Sequence, residues 1–245
     1  MDFVSQQYWD ESYKDYAYSV ADDEVTTWLD HQEQFFGSAG SLFEFGCYPG
    51  RYLSYLGKKG FIVSGMDLTP GIKKPEFQQW LQKEGISTSL LTQGDALAYA
   101  RETDDRYDVV CSFGFIEHFE NFLKVIELHD RLVKPSGWLV ITTPNFRGLV
   151  QKVLHKNLNH AVLNIHYLPS MQPKLWEKKL NELGYTVKEA GYFGGFDFWY
   201  DDAKRNALQK LVLKIVRKAK RYLRNLPDRA MYSPYCGIVA QKMQR

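Results

Sequence analysis

Three carboxylates sit at or just past apolar runs that read as strands: Glu44 in "SLFEFG", Asp67 in "FIVSGMD" and Asp95 in "LLTQGD". Beside the first lies a glycine-bounded loop, Gly46-Cys47-Tyr48-Pro49-Gly50, with no Lys or Arg before Arg51. Acids at three strand ends repel a pyrophosphate and suit a ligand with ribose hydroxyls and a cationic centre. The P-loop pattern GxxxxGK[ST] is absent. A dinucleotide loop, GxGxxG, needs its middle glycine so that the backbone can approach the pyrophosphate, and here Tyr48 takes that place. These residues point to a nucleoside without phosphates.

Such acids converge only if the strands run parallel and end along one edge of a sheet. The runs "SLFEFG", "FIVSGMD", "ISTSLLTQGD", "YDVVCSFGF" and "GWLVITTPN" alternate with helical stretches. They are nearly continuous in apolar residues, as strands covered on both faces should be. The expected fold is α/β, a Rossmann-like doubly wound sheet with helices on both faces. A first helix is expected over 22–36 with Asp22 as its cap, one starting at Pro75 and stopping at Gly85, and one near 121–133. Residues 145–170 are irregular and rich in Asn and His, which reads as a loop-dominated segment with short helices. A helix "PKLWEKKLNELG", a strand "YTVKEAGYF", a basic helix over 202–226 and a strand "YCGIVAQKM" follow.

At 245 residues the chain is long enough for one large α/β domain, or one with an insertion. Its 44% hydrophobic and 24% charged content is that of a globular protein, and a net charge of +2 argues against a chain built to coat nucleic acid. No signal peptide or membrane-spanning run is visible, so a cytoplasmic protein is expected. Cys47, Cys111 and Cys236 are odd in number and lack CxxC spacing, which favours reduced thiols over disulfides or a zinc site.

With these motifs in order, the chain resembles the class I S-adenosylmethionine-dependent methyltransferases, and within them a small-molecule subgroup (type 11/23-like). The family's first motif matches Glu44 through Gly50, its ribose-binding acid matches Asp67, and its adenine-flanking pair matches Asp95 and Ala96. The fourth strand with a trailing "EH", here "YDVVCSFGFIEH", and "KPSGWLVITTPN" after it match the subgroup. The resemblance covers about residues 8–195 and the last strand, which fits the family's seventh, antiparallel strand. It departs at Tyr48-Pro49, where the family has Gly and a small residue. It implies S-adenosyl-L-methionine as cofactor, S-adenosyl-L-homocysteine as product, and a cofactor site of Glu44, Gly46, Cys47, Tyr48, Gly50, Asp67, Leu68, Asp95, Ala96 and Phe113. It also implies a lid and helix over 1–40, with Tyr13 or Tyr16 reaching the methionine carboxylate, on a methyltransferase domain over 41–245. Tyr8 and Trp9 could equally staple that tail to the core.

Methyl transfer from a sulfonium asks the protein to align the acceptor and exclude water, and a hydroxyl acceptor also asks for a base. Of the six histidines, His31 and His129 read as surface or packing residues on helices. His118 follows the fourth strand directly and is the first base candidate, or else a helix-start residue holding Glu117 or the backbone. His166, before Tyr167, is the second, and the resemblance places the segment with His155, His160, Tyr167 and Asn145 at the acceptor pocket; the alternative for the three histidines, above all His155, is a polar loop that packs over the sheet. No closely spaced His/Cys/Asp cluster is visible in the sequence, so no metal is expected. The expected acceptor is a sugar or glycan precursor, with polysaccharide biosynthesis as the setting. A quinone, phenol or other secondary metabolite is the alternative, and a non-catalytic nucleotide-binding protein the rival of another class.

Between Lys204 and Arg224 there are nine basic residues and no acid. Leu208, Leu211, Val212, Ile215, Ala219, Tyr222, Leu223 and Leu226 form an apolar stripe at helical spacing. The helix either packs on the domain with its basic face in solvent or meets an anionic membrane surface at the inner leaflet. RNA is not expected, because no stacking platform accompanies the charge.

Overall fold

Successive residues of the central strands are apolar on both sides, and the chain resolves this by covering both faces of one sheet. Leu42 and Phe43, neighbours on the first strand, lie in different apolar clusters, one on each face, and both are fully buried. The computed structural model describes residues 3–14, 16–200 and 204–244. In chain order the elements are α1 (Gln6–Ser12), α2 (Glu24–Phe36), β1 (Gly40–Phe45), α3 (Arg51–Lys58), β2 (Phe61–Asp67), α4 (Pro75–Lys83), β3 (Thr88–Gln93), α5 (Ala96–Glu102) and β4 (Tyr107–Phe113). There follow α6 (Phe122–Leu132), β5 (Val133–Pro144), α7 (Leu149–Leu158), α8 (His160–Asn164), α9 (Pro173–Glu182), β6 (Tyr185–Phe193), α10 (Ala207–Leu223) and β7 (Tyr235–Lys242).

The seven strands form one sheet in the order β3-β2-β1-β4-β5-β7-β6. Only β7 runs against its neighbours, pairing antiparallel with both β5 and β6. This is the expected doubly wound sheet with the last strand reversed. Strand order turns outward in both directions from β1 and β4, which pair in parallel, so the crevice beyond their carboxyl ends is where this topology places a ligand.

Three expectations need correction. The cap of α2 is Asp23, not Asp22: its carboxylate accepts from the Val25 and Thr26 amides at 3.0 and 3.2 Å, and Thr26 Oγ1 accepts from the Asp23 amide at 2.9 Å. The reciprocal partner Thr26 fixes that choice. The segment 145–170 is mostly helical, with α7, α8 and a 3-10 turn at Leu168–Ser170, and Val162, Leu163 and Tyr167 pack against the core on one face of the sheet. The basic helix spans Ala207–Leu223 and is capped by Asn206, whose side chain accepts from the Gln209 amide; Asp202 lies outside the described residues.

The apolar stripe of α10 is divided. Leu213 is buried and Val212 and Val216 are partly so, against Leu154, Leu158 and Phe198. Leu208, Leu211, Ile215 and Tyr222 face outward and are 55–71% exposed.

Candidate active site

The end of β1 is built to turn sharply. Gly46 and Gly50 have φ of 67° and 85°, values that favour glycine. Space forbids a side chain as well: a Cβ at Gly46 would lie 2.7 Å from the Phe115 ring, and one at Gly50 2.6 Å from Phe77. Asp67, at the end of β2, ties this turn to its own, accepting from the Tyr48 amide at 3.0 Å and from the Thr69 amide at 2.8 Å.

Tyr48 does not enter the crevice with its ring. The peptide before Pro49 is cis, and the ring packs edge-on against Tyr13 and Phe77, with its hydroxyl 3.0 Å from that of Tyr18. Gly71 makes room for it, since a Cβ there would lie 2.4 Å from Tyr48 Cζ. Cys47 also points inward, its Sγ filling the space over Gly65. The loop therefore offers the crevice backbone rather than side chains.

The crevice is a pocket of about 600 Å³, and among its lining residues are Glu44, the Gly46–Gly50 loop, Asp67, Leu68, Asp95, Ala96, Phe113 and His118. Tyr13 and Trp9, stacked at 5.9 Å, bring the N-terminal segment to the same wall. Asp95 caps α5 through one carboxylate oxygen, accepting from the Leu97 and Ala98 amides, and remains exposed. Phe113 packs on Tyr52 at 4.7 Å. Glu44 is 3% exposed, and its Oε2 has no hydrogen-bond partner. Burial first, then the nearby Asp67, holds its carboxyl well above the usual range. Burial also raises Asp67, against the lowering effect of its two amide donors.

A second group lies at the end of β4. His118, 8% exposed, directs Nδ1 to the Ile165 carbonyl at 2.8 Å. His166 directs Nδ1 to the Val162 carbonyl at 2.6 Å. Glu117 is 1% exposed, and neither carboxyl oxygen has a partner. Burial pushes Glu117 up to about 8 and His118 down to about 4. His166 falls to about 3, through burial and then the neighbouring His118. One ligand atom from each of the three lies within 4.8 Å of the others. The expectation that the chain has no closely spaced ligand cluster is thus wrong: the fold joins "EH" after β4 to His166 after α8. Glu117 was missed as a participant because an acid beside a histidine carries no sign of burial.

Other expected site residues lie elsewhere. Asn145 is buried, but its amide donates to the Ala230 and Ser233 carbonyls and accepts from the Gly148 amide, clamping the segment before β7. His160 is exposed at the start of α8, and Tyr167 stacks on Phe3; neither lines the pocket. His155 is buried between Phe146 and Phe198. His129, taken for a surface or packing residue, packs: it is fully buried with its ring 3.8 Å from that of Phe45.

The crevice past β1 is lined by loop backbone, by Asp67 and by the buried, unpartnered carboxylate of Glu44. The chain belongs to the family described as "Methyltransferase domain", whose model matches residues 14–191. It is an S-adenosylmethionine-dependent methyltransferase. It is similar to the ubiquinone biosynthesis O-methyltransferase of Thiobacillus denitrificans, 25% identical over 67% of this chain and 68% of that one. The counterpart from Leptothrix cholodnii is 26% identical, over 54% of this chain and only 53% of its own length. In fold it is similar to magnesium protoporphyrin IX methyltransferase from Synechocystis PCC 6803 solved with bound S-adenosylhomocysteine, with a TM-score of 0.56, 17% identity, and coverage of 89% of this chain and 80% of that one.

The pocket fits S-adenosylmethionine on its own terms. Glu44 Oε2 lacks the donor that an ammonium would supply, and Asp67 keeps acceptor capacity beyond its two amide bonds. The turn after β1 carries Tyr48 without closing the crevice, because the ring leaves it.

Proposed function

We propose that the protein O-methylates an aromatic hydroxyl, of the phenol, catechol or quinol class. The observation that carries this reading is the cluster of Glu117, His118 and His166, of which His118 lines the cofactor pocket together with Trp9, Phe115 and Phe119. A flat aromatic ring suits such a wall, whereas a sugar asks for hydrogen-bond partners for several hydroxyls, and this wall supplies few. The ubiquinone biosynthesis O-methyltransferases named above favour the same class. The sugar or glycan acceptor expected from the sequence finds no support among these relatives.

S-Adenosylmethionine supplies an activated methyl carbon on its sulfonium. Asp67 and Asp95 hold its nucleoside end, Glu44 its ammonium, and Tyr13 with Trp9 covers the pocket as a lid that excludes water. The acceptor oxygen would take the methyl group as the carbon–sulfur bond breaks, leaving S-adenosylhomocysteine, and the hydroxyl proton would leave beside His118, the cluster member that lines the pocket. Burial holds His118 and His166 neutral near pH 7, which keeps their Nε2 lone pairs free but also makes both imidazoles weak bases.

The test is methyl transfer from radiolabelled S-adenosylmethionine to a panel containing 3,4-dihydroxybenzoate, simple phenols, hydroquinones and methyl glycosides. Transfer to the aromatic hydroxyls supports the reading. Transfer confined to the glycosides overturns it.

A further inference from the structure

Glu117 poses an energetic problem that the fold leaves unsolved. Both its oxygens are buried without a partner, and among the described residues no Lys or Arg pairs with it. Such a group is stable only when protonated or when a cation meets it. The two imidazoles beside it are set for the second solution. A carbonyl oxygen only accepts, so His118 and His166 each carry a proton on Nδ1, donated to Ile165 and Val162, and each keeps the Nε2 lone pair. Backbone carbonyls that fix the tautomer and aim Nε2 are the usual outer support of metal-bound histidines. His129 and His155 likewise bury unpartnered nitrogens, but His129 stacks on Phe45 and His155 sits among Phe146, Phe198 and Trp199, and neither belongs to a ligand cluster.

We propose that Glu117, His118 and His166 bind one divalent transition-metal ion. Two imidazoles and one carboxylate favour the Zn²⁺, Mn²⁺ and Fe²⁺ class over Mg²⁺, which prefers an all-oxygen shell. Of the three, His118 lines the cofactor pocket and Glu117 and His166 do not. This deepens the aromatic-hydroxyl reading and rests on it only for its consequence: a hydroxyl bound to the ion loses its proton more readily, and Glu117 is held ionised. Binding of the ion itself is independent of the acceptor.

The test uses the full chain stripped with a chelator, then titrated with Zn²⁺ or Mn²⁺ alone by calorimetry, with metal content measured after dialysis. One equivalent is expected, with affinity falling at least about 10-fold in Glu117→Gln and in His166→Asn, while both variants retain S-adenosylhomocysteine binding as proof of folding. No stoichiometric binding by the wild type, or unchanged binding in folded variants, overturns the proposal. Should either variant fail to fold, the Co²⁺-loaded wild type decides: two paramagnetically shifted imidazole N–H resonances support the site, and none overturns it. Turnover on catechols by a chain that binds no metal sinks the ion and spares the acceptor. Metal binding without aromatic turnover does the reverse.

A separate observation carries a second proposal. Leu208, Leu211, Ile215 and Tyr222 of α10 and Leu149 and Val153 of α7 are all more than half exposed, and α10 packs on α7. Six basic residues of α10 flank this apolar face, with no acid in the helix. We infer that the face lies on an anionic bilayer surface, apolar side chains in the interfacial layer and lysines at the phosphates. The complementary charge is what selects a membrane over a second copy, which would carry the same sign. Full-length protein should cosediment with phosphatidylglycerol-containing vesicles and not with pure phosphatidylcholine, and Leu211→Glu with Ile215→Glu should abolish it. No cosedimentation, or a dimer in solution that the same pair of substitutions dissolves, overturns it.

Discussion

The imidazole rings of His118 and His166 stand 4.8 Å apart, centre to centre, one carried by the turn after β4 and the other by the end of α8. Each is fastened by Nδ1 to a carbonyl of the α8 segment, which fixes both rings to the same stretch of chain. Removal of either ring should therefore disturb the proton's departure more than cofactor binding. In His118→Ala, S-adenosylhomocysteine affinity measured by calorimetry should stay within a few-fold, and the single-turnover rate should fall by about 10²–10⁴-fold. Retention of full rate on an aromatic acceptor would remove His118 from the reaction.

Glu44 is a place where stability and binding oppose each other. Its folded pKa lies above its unfolded value, so its favourable contribution is complete below the usual carboxylate pKa and is lost as pH rises. Glu44→Gln removes that loss. The ligand-free variant should melt higher than wild type at pH 7, and the difference should vanish near pH 4. Its affinity for S-adenosylhomocysteine should fall by about 10–100-fold, the value of a charge-assisted hydrogen bond. A variant that binds as tightly as wild type would mean that Glu44 faces no donor of the cofactor.

Tyr48 occupies the position of the missing glycine, and its ring is 4% exposed among Tyr13, Tyr18 and Phe77. Its contribution to the cofactor site is its backbone amide, which donates to Asp67. Tyr48→Ala should cost about 3 kcal/mol of stability, read by urea unfolding, because a buried aromatic is lost. Cofactor affinity should change little by comparison. Gly71→Ala should destabilise in the same direction, since its Cβ would strike the Tyr48 ring.

The sheet and the acid-lined crevice at its edge were legible because their signals are local. Apolar runs ending in Glu44, Asp67 and Asp95 place those acids at one edge once the strands are parallel, and that edge is observed. Where a side chain points within a loop depends on distant partners. Gly71 decides the fate of the Tyr48 ring, and Ala230 and Ser233 claim the amide of Asn145. The Glu117–His118–His166 cluster was hidden for the same reason: α8 must fold back on β4 before the third member arrives. The stripe on α10 showed amphipathicity but not which part of it packs, because that is set by Phe198 and Leu158.

His129 offers a test of the core that leaves the pocket alone. It is fully buried, stacked on Phe45, with Nδ1 at 2.8 Å from the Val125 carbonyl and Nε2 without a partner. Burial lowers it from 6.5 to about 4, opposed only by the Val125 bond. A folded pKa below the unfolded one contributes stability that is present above pH 6.5 and lost as pH falls through 4. The group's share amounts to about 3 kcal/mol, one pKa unit being about 1.4 kcal/mol. His129→Phe keeps the stacked ring and removes the titration. Its melting temperature should therefore match or exceed that of wild type at pH 7 and decline less steeply between pH 6.5 and 4. Parallel acid limbs in the two proteins would show that this imidazole reaches water before it charges, and that acid unfolding begins at other buried groups.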